Sequence, residues 1–238
     1  MIDAVFFDLD NTLLQSDGDQ FLEDFLGVLG QRLGVASDRF SEASMVAGAA
    51  VMSDHPDATN HELLVSTLAG ELGLPVKQID DSVRHFEAAE MGNLGLPWVL
   101  LPEARQVVQA VIAQGKQVVL ATSPIYLEGP IRERMRRANV DDLDWTLVTT
   151  SDRLHSAKPH ARYFTEAAQL IGCSPAACVM VGDNPFQDLP ARKAGFLTYF
   201  VGQALPGLDT GPSGHLKDFP EWLQAQDIRQ ASGTYKPL

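Results

Sequence analysis

Positive charge is scarce in this 238-residue sequence. Lys and Arg number 18 against 31 Asp and Glu, which gives a formal net charge of -13 at neutral pH. Surfaces that bind the phosphate backbone draw their affinity from clustered Lys and Arg, so no nucleic-acid partner is expected. The one basic cluster, Arg132 to Arg137, contains Glu133 and reads as the solvated face of a helix. Cysteine is rarer still: Cys173 and Cys178 lack the Cys-x-x-Cys spacing of metal and redox pairs and read as small buried thiols. No stretch approaches the roughly 18 apolar residues of a membrane span, and no basic region followed by an apolar one precedes the first aspartates. A P-loop lysine signature and a Gly-x-Ser-x-Gly elbow are both missing, so NTPase and serine-hydrolase readings have no support. The expectation is a cytoplasmic protein, monomer or homodimer, with no membrane partner.

The length suffices for one large α/β domain, or for a core domain with an insertion. The stretch around which the rest is organised is Val5-Phe6-Phe7-Asp8-Leu9-Asp10-Asn11-Thr12-Leu13. Residues 4 to 7 read as a buried parallel strand, cut off by two aspartates and a threonine. The carboxylates therefore lie at the carboxyl end of a strand, the edge where open α/β sheets bind ligands. Taken alone, Asp-x-Asp after a strand is also what a turn or helix cap requires. Thr122, Lys158, Asp183 and Asp188 add weight, because each follows or lies near a further expected strand end.

Between residues 16 and 94 the periodicity is helical. Phe21, Leu22, Phe25, Leu26, Leu29 and Leu33 predict a helix from about 19 to 33. Ser37 is the expected cap of a second helix to about Met52, Asn60 that of a third to Leu72 before Gly73, and Ile79, Val83 and Phe86 mark a fourth. Successive helices without a strand break a βαβ rhythm, so 16-94 is expected to form a small all-helical domain inserted into a core of 1-15 and 95-238. Turn formers at 15-18 and 92-97 bound it. From Pro102 helices and strands alternate: strands at 117-121, 145-149, 177-181 and 197-201, helices at 102-114, 128-138, 160-171 and 188-194. With the first strand this makes a doubly wound parallel five-stranded sheet. Gly182 is expected to let the chain turn before Asp183. Residues 203-214 read as a loop, and the polar tail from Gln224 as partly disordered.

Four motifs stand in order: Asp8-Leu9-Asp10-Asn11-Thr12, Val118-Val119-Leu120-Ala121-Thr122-Ser123, Lys158-Pro159, and Val181-Gly182-Asp183-Asn184-Pro185-Phe186-Gln187-Asp188. Together they resemble the haloacid dehalogenase-like hydrolase superfamily, over residues 3 to about 201. The resemblance implies a Rossmann-like core with the first strand central, and a helical cap, inserted after the first motif, that closes over the site. It implies an Asp8 nucleophile that forms an aspartyl-phosphate and an Asp10 that protonates the leaving oxygen and then activates water. Family dehalogenases lack an acid at the second position, so Asp10 argues for phosphoryl transfer. Asp8, Asp183 and the main-chain carbonyl of Asp10 would hold Mg2+, with Asp188 orienting the site from outside the ligand set or capping a helix. Thr122 and Lys158 would clamp the phosphoryl oxygens, and Ser123 stands where relatives often have asparagine.

The expected function is therefore Mg2+-dependent hydrolysis of a small phosphorylated metabolite. A sugar phosphomutase of the same superfamily shares the motifs. A phospho-receiver module is about half as long and phosphorylates an Asp that ends a middle strand, and a non-catalytic scaffold would have lost a motif residue. His55, His61, Arg84 and His85 of the insertion are not assigned to a ligand, since such residues on amphipathic helices mostly face solvent. Lys77, beside a turn, is a weak candidate for Schiff-base chemistry.

Overall fold

The fold is built outward from β1 (Ala4–Phe7), whose four side chains are all buried. Successive strand residues point to opposite faces. Val5 and Phe7 accordingly enter the larger apolar cluster, and Ala4 and Phe6 the smaller one. A run with no polar member is stable as a strand only where both faces are covered. In the computed structural model, which describes residues 1–15, 27–89 and 98–231, that condition is met.

Beyond a turn in which Asn11 takes a left-handed φ of 59°, β2 (Leu14–Gln15) pairs antiparallel with β3 (Val99–Leu100). The chain segments leading into and out of residues 16–98 are thus hydrogen-bonded to each other. In the main sheet β1 lies between β4 (Gln117–Leu120) and β6 (Cys178–Gly182), parallel to both. β5 (Leu147–Val148) flanks β4, while β7 (Leu197–Val201) and then β8 (Ser213–Gly214) extend the other side, all parallel. The five expected strands are present. The sixth, β8, arises where a loop was expected, because backbone groups of 212–214 bond to Phe200 and Gly202.

Three helices precede β3: α1 (Ser37–Val51), α2 (Asn60–Leu72) and α3 (Val76–Ala89). Residues 27–33 are also helical; the expected start of that helix at 19, and the linkers at 16–18 and 92–97, lie outside the described residues. Four more follow: α4 (Ala104–Ala113), α5 (Glu128–Arg137), α6 (Ala161–Leu170) and α7 (Phe219–Ala231). Side chains of α4, α5 and α7 join the cluster of Phe7, and those of α6 join the cluster of Phe6. Helices therefore cover both faces, as a doubly wound sheet requires. Edge-to-face contacts of Phe6 with Phe196 at 4.9 Å and of Phe7 with Phe219 at 5.8 Å fix the two sides.

Four local expectations need correction. Ser37 does not cap α1: Ala36 holds the cap position, without a side-chain bond. Nor does Asn60 cap α2, because Thr59 and Glu62 form a reciprocal capping box there. Asn60 is instead fully buried, and its amide donates to the carbonyls of Pro124 and Ser156 at 3.0 Å each. It ties the start of α2 to two loops of the sheet's carboxyl edge. The third correction is α7, whose residues from Gln224 to Ala231 are helical where the tail was expected to be partly disordered; residues 232–238 of that tail lie outside the described residues. Asp227 anchors it, accepting from Ile2 N–H at 2.9 Å and from the Lys116 ammonium.

The fourth is Gly182. Its φ is not in the left-handed region, so it is not needed for a turn. What it provides is room: a Cβ at this position would collide with the Asp188 carboxylate. Among the described residues, no helix is long and apolar enough to cross a membrane.

Candidate active site

The strand register assembles the site. Asp8 N–H donates to Val181 C=O at 2.9 Å, and Ala121 N–H to Phe7 C=O at 2.7 Å. Residues just beyond β1, β4 and β6 are thereby set side by side at one edge, which brings Asp8, Thr122 and Asp183 to the same end of the sheet. Lys158 reaches this edge from the loop after β5. It is 1% exposed, and its ammonium donates to Asp8 Oδ1 and to Asp188 Oδ1 at 2.7 Å each.

Asp188 sits at the N-cap position of a 3-10 helix (Leu189–Ala194) but makes no cap hydrogen bond. Its carboxylate turns inward instead. There Oδ1 takes Lys158, and Oδ2 takes the Asn184 N–H at 3.0 Å in the space that Gly182 leaves open. Asp183 Oδ1 accepts the Thr12 hydroxyl at 3.2 Å. Single carboxylate oxygens of Asp8, Asp183 and Asp188 all lie within 4.8 Å of one another.

Such crowding has an electrostatic cost. Burial pushes the Asp8 carboxyl up to about 8 against the pull of Lys158, and burial with the neighbouring Asp188 charge pushes Asp183 to about 6. Burial alone would lower the Lys158 ammonium, yet Asp188 and Asp8 hold it above its ordinary range. Three carboxylates therefore crowd around one lysine, which bonds two of them. An oxygen-ligated dication would suit this donor set, and its charge would favour the ionised form of every one of them. The residues fit such an ion.

Asp10 belongs to a second ionic group. Its Oδ2 receives Arg134 Nη1 at 2.8 Å, and Arg134 Nη2 lies 3.5 Å from Thr122 Oγ1. The Thr122 carbonyl is held by the Thr149 and Tyr163 hydroxyls at 2.9 and 3.0 Å. Ser123 Oγ donates to Gln187 Oε1 at 3.3 Å, which links the loops after β4 and β6. The predicted residues thus fall into two adjoining clusters, one of Asp8, Lys158, Asp183 and Asp188, the other of Asp10 and Thr122, with Ser123 next in sequence.

Arg134 escaped the sequence reading. The cluster Arg132 to Arg137 does lie on a helix, but Arg134 is 5% exposed and faces the site rather than solvent. The signal was available in the spacing, since Ile131, Arg134, Met135 and Ala138 share one helical face. Thr12, Asn184 and Gln187 likewise lie within the motifs, but the sequence alone gives them no role. On the helices before β3, His61 and Arg84 both bond Asp80, at 2.6 and 2.8 Å. His55 Nε2 contacts Val51 C=O at 2.9 Å, and Lys77 forms an exposed pair with Asp81.

Residues 2–195 match the family model of the haloacid dehalogenase-like hydrolases. The sequence is 26% identical to a phosphatase of Mycobacterium tuberculosis over 204 residues, 85% of this chain and 88% of that protein. It is 28% identical to the pyrophosphatase PpaX of Bacillus cereus over 102 residues, which are 43% of this chain and 46% of that protein. The chain thus spans about half the length of this second relative. Among solved structures, a 2-haloacid dehalogenase of Pseudomonas syringae superposes with a TM-score of 0.60 at 22% identity, covering 95% of this chain and 100% of that one. The last likeness is one of fold alone.

Proposed function

Because the chain belongs to the haloacid dehalogenase-like hydrolases, we propose that it is a magnesium-dependent phosphatase acting on a small phosphorylated metabolite through an aspartyl-phosphate at Asp8. One observation carries the reading: the two carboxylates of Asp8-x-Asp10 have different cationic partners, Lys158 for the first and Arg134 for the second. Two carboxylates in different environments can divide nucleophilic and proton-transfer work between them. The names of the two curated relatives agree with phosphate-ester or anhydride hydrolysis.

In this mechanism an Asp8 oxygen attacks phosphorus, the bond from phosphorus to the substrate's bridging oxygen breaks, and that oxygen takes a proton from Asp10. Water then attacks phosphorus and gives its proton to Asp10, and the bond to Asp8 breaks to release phosphate. Lys158 keeps Asp8 oriented and meets the charge of the transferring group, and the Thr122 hydroxyl holds a phosphoryl oxygen. Asp8, Asp183 and the Asp10 carbonyl would bind Mg2+, with both Asp188 oxygens occupied by Lys158 and Asn184 and so suited to orienting the site. The ion supplies charge neutralisation of the phosphoryl oxygens when bound.

Residues 16–94 would form a helical cap on a core of 1–15 and 95–238, a division that the β2–β3 pairing supports by joining the segments at its base. The test is phosphate release from a panel of phosphorylated metabolites and an aryl phosphate, with Mg2+ and with EDTA, by wild type and Asp8→Asn. The reading expects Mg2+-dependent release that the substitution abolishes. Release unaffected by either change would overturn it.

A further inference from the structure

Arg134 is buried in the last turn of α5, on a face otherwise formed by Ile131, Met135 and Ala138. Its guanidinium bonds the Asp10 carboxylate at 2.8 Å, reaches the Thr122 hydroxyl at 3.5 Å and lies 5.6 Å from the centre of the buried Tyr126 ring. Removing an arginine from water is costly unless close partners compensate. Among the described residues, its hydrogen-bond partners are the two groups that the phosphatase reading assigns to proton transfer and to phosphoryl binding. A planar fork that touches both fixes their distance and relative orientation, which a flexible lysine would not do.

We propose that Arg134 is a positioning residue for proton transfer: it holds the Asp10 carboxyl in register with the oxygen that leaves the phosphoryl group seated at Thr122. This inference rests on the phosphatase reading above and adds a residue outside the four motifs. α5 is itself pinned at its start, where Leu127 N–H donates to Glu87 Oε2 at 2.8 Å, so the arginine projects from a fixed base. Small misplacements of a catalytic group can lower rate by orders of magnitude.

The prediction turns on how much help the leaving group needs. An alkoxide leaves phosphorus only when protonated, whereas a nitrophenolate departs without a proton. The experiment measures kcat/KM, which reports steps through leaving-group departure, for p-nitrophenyl phosphate and for a simple alkyl phosphate. Wild type, Arg134→Met and Arg134→Lys are compared with Mg2+ present. Arg134→Met is expected to keep the aryl rate within about threefold while losing roughly a hundredfold on the alkyl ester, the scale of general acid catalysis. Arg134→Lys should recover part of that gap.

The alkyl-to-aryl ratio does not depend on the fraction of enzyme that is folded, and if Arg134→Met gives no soluble protein the ratio is read on Arg134→Lys alone. Equal losses on both esters would make Arg134 a phosphoryl ligand or a packing residue and overturn the proposal, as would no loss on either. If wild type hydrolyses neither ester nor any metabolite of the panel, it is the phosphatase reading that fails.

Discussion

Gly182 and Asp188 form a pair in which one residue's missing side chain makes the other's possible. The Asp188 carboxylate occupies the space where a Cβ on residue 182 would stand, and from there it takes Lys158 and the Asn184 N–H. Gly182→Ala should therefore displace Asp188 and with it the Lys158 ammonium that orients Asp8. Forcing a methyl into a packed interior costs about 1–3 kcal/mol. Thermal unfolding should register that loss, and phosphate release should fall at least about tenfold because Lys158 loses one of its two carboxylate partners. Unchanged melting and rate would show that the loop between Asp183 and Asp188 yields without cost. The motif spacing made Asp183 and Asp188 legible in the sequence, but not this reason for the glycine, because a close approach across five residues depends on where the loop closes.

At the scale of elements, what periodicity could reveal and what it could not divide cleanly. The strands ending at Asp8, near Thr122 and at Asp183 were legible because apolar runs stop at polar residues, and Gly73 ends α2 in the left-handed conformation as its position suggested. Arg134 was not, because charge clusters on helices are usually solvated and only tertiary packing turns one member inward. Asn60 is a case of the same kind, because a cap residue and a buried tertiary donor look alike in sequence.

Glu87 shows the same dependence on packing. It lies in the last turn of α3 at 5% exposure, where burial raises its carboxyl to about 8 even though Leu127 N–H pulls the other way. Asp152 adds to the rise and Arg84 opposes it. A carboxyl raised in the folded state binds more protons there than in the unfolded chain, so stability falls as pH climbs from its ordinary value of 4.5 through about 8. Chemical denaturation of wild type should show this decline between those limits, and Glu87→Gln should flatten part of it. Identical slopes for the two proteins would mean that Glu87 ionises freely at the junction of α3 and α5.

For the whole molecule, the parallel sheet sets the chemistry by placing strand ends. β1 is central, and β4 and β6 on its two sides deliver a hydroxyl and a carboxylate to the same edge as Asp8. The helices before β3 approach that edge through Asn60, bonded to the loops after β4 and β5. The central claim is that Asp8 carries the phosphoryl group between two displacements. It is tested most directly by mixing Asp10→Asn with an aryl phosphate and Mg2+, quenching in acid, and locating added mass by peptide mass spectrometry. An aryl leaving group needs no proton, whereas the attacking water has lost its base, so the intermediate should accumulate. The account predicts one phosphoryl group on the peptide that contains Asp8, absent when Asp8 is also changed to Asn or when EDTA replaces Mg2+. Turnover by wild type with no phosphorylated Asp8 peptide at any quench time, and phosphate release surviving in Asp8→Asn, would contradict it.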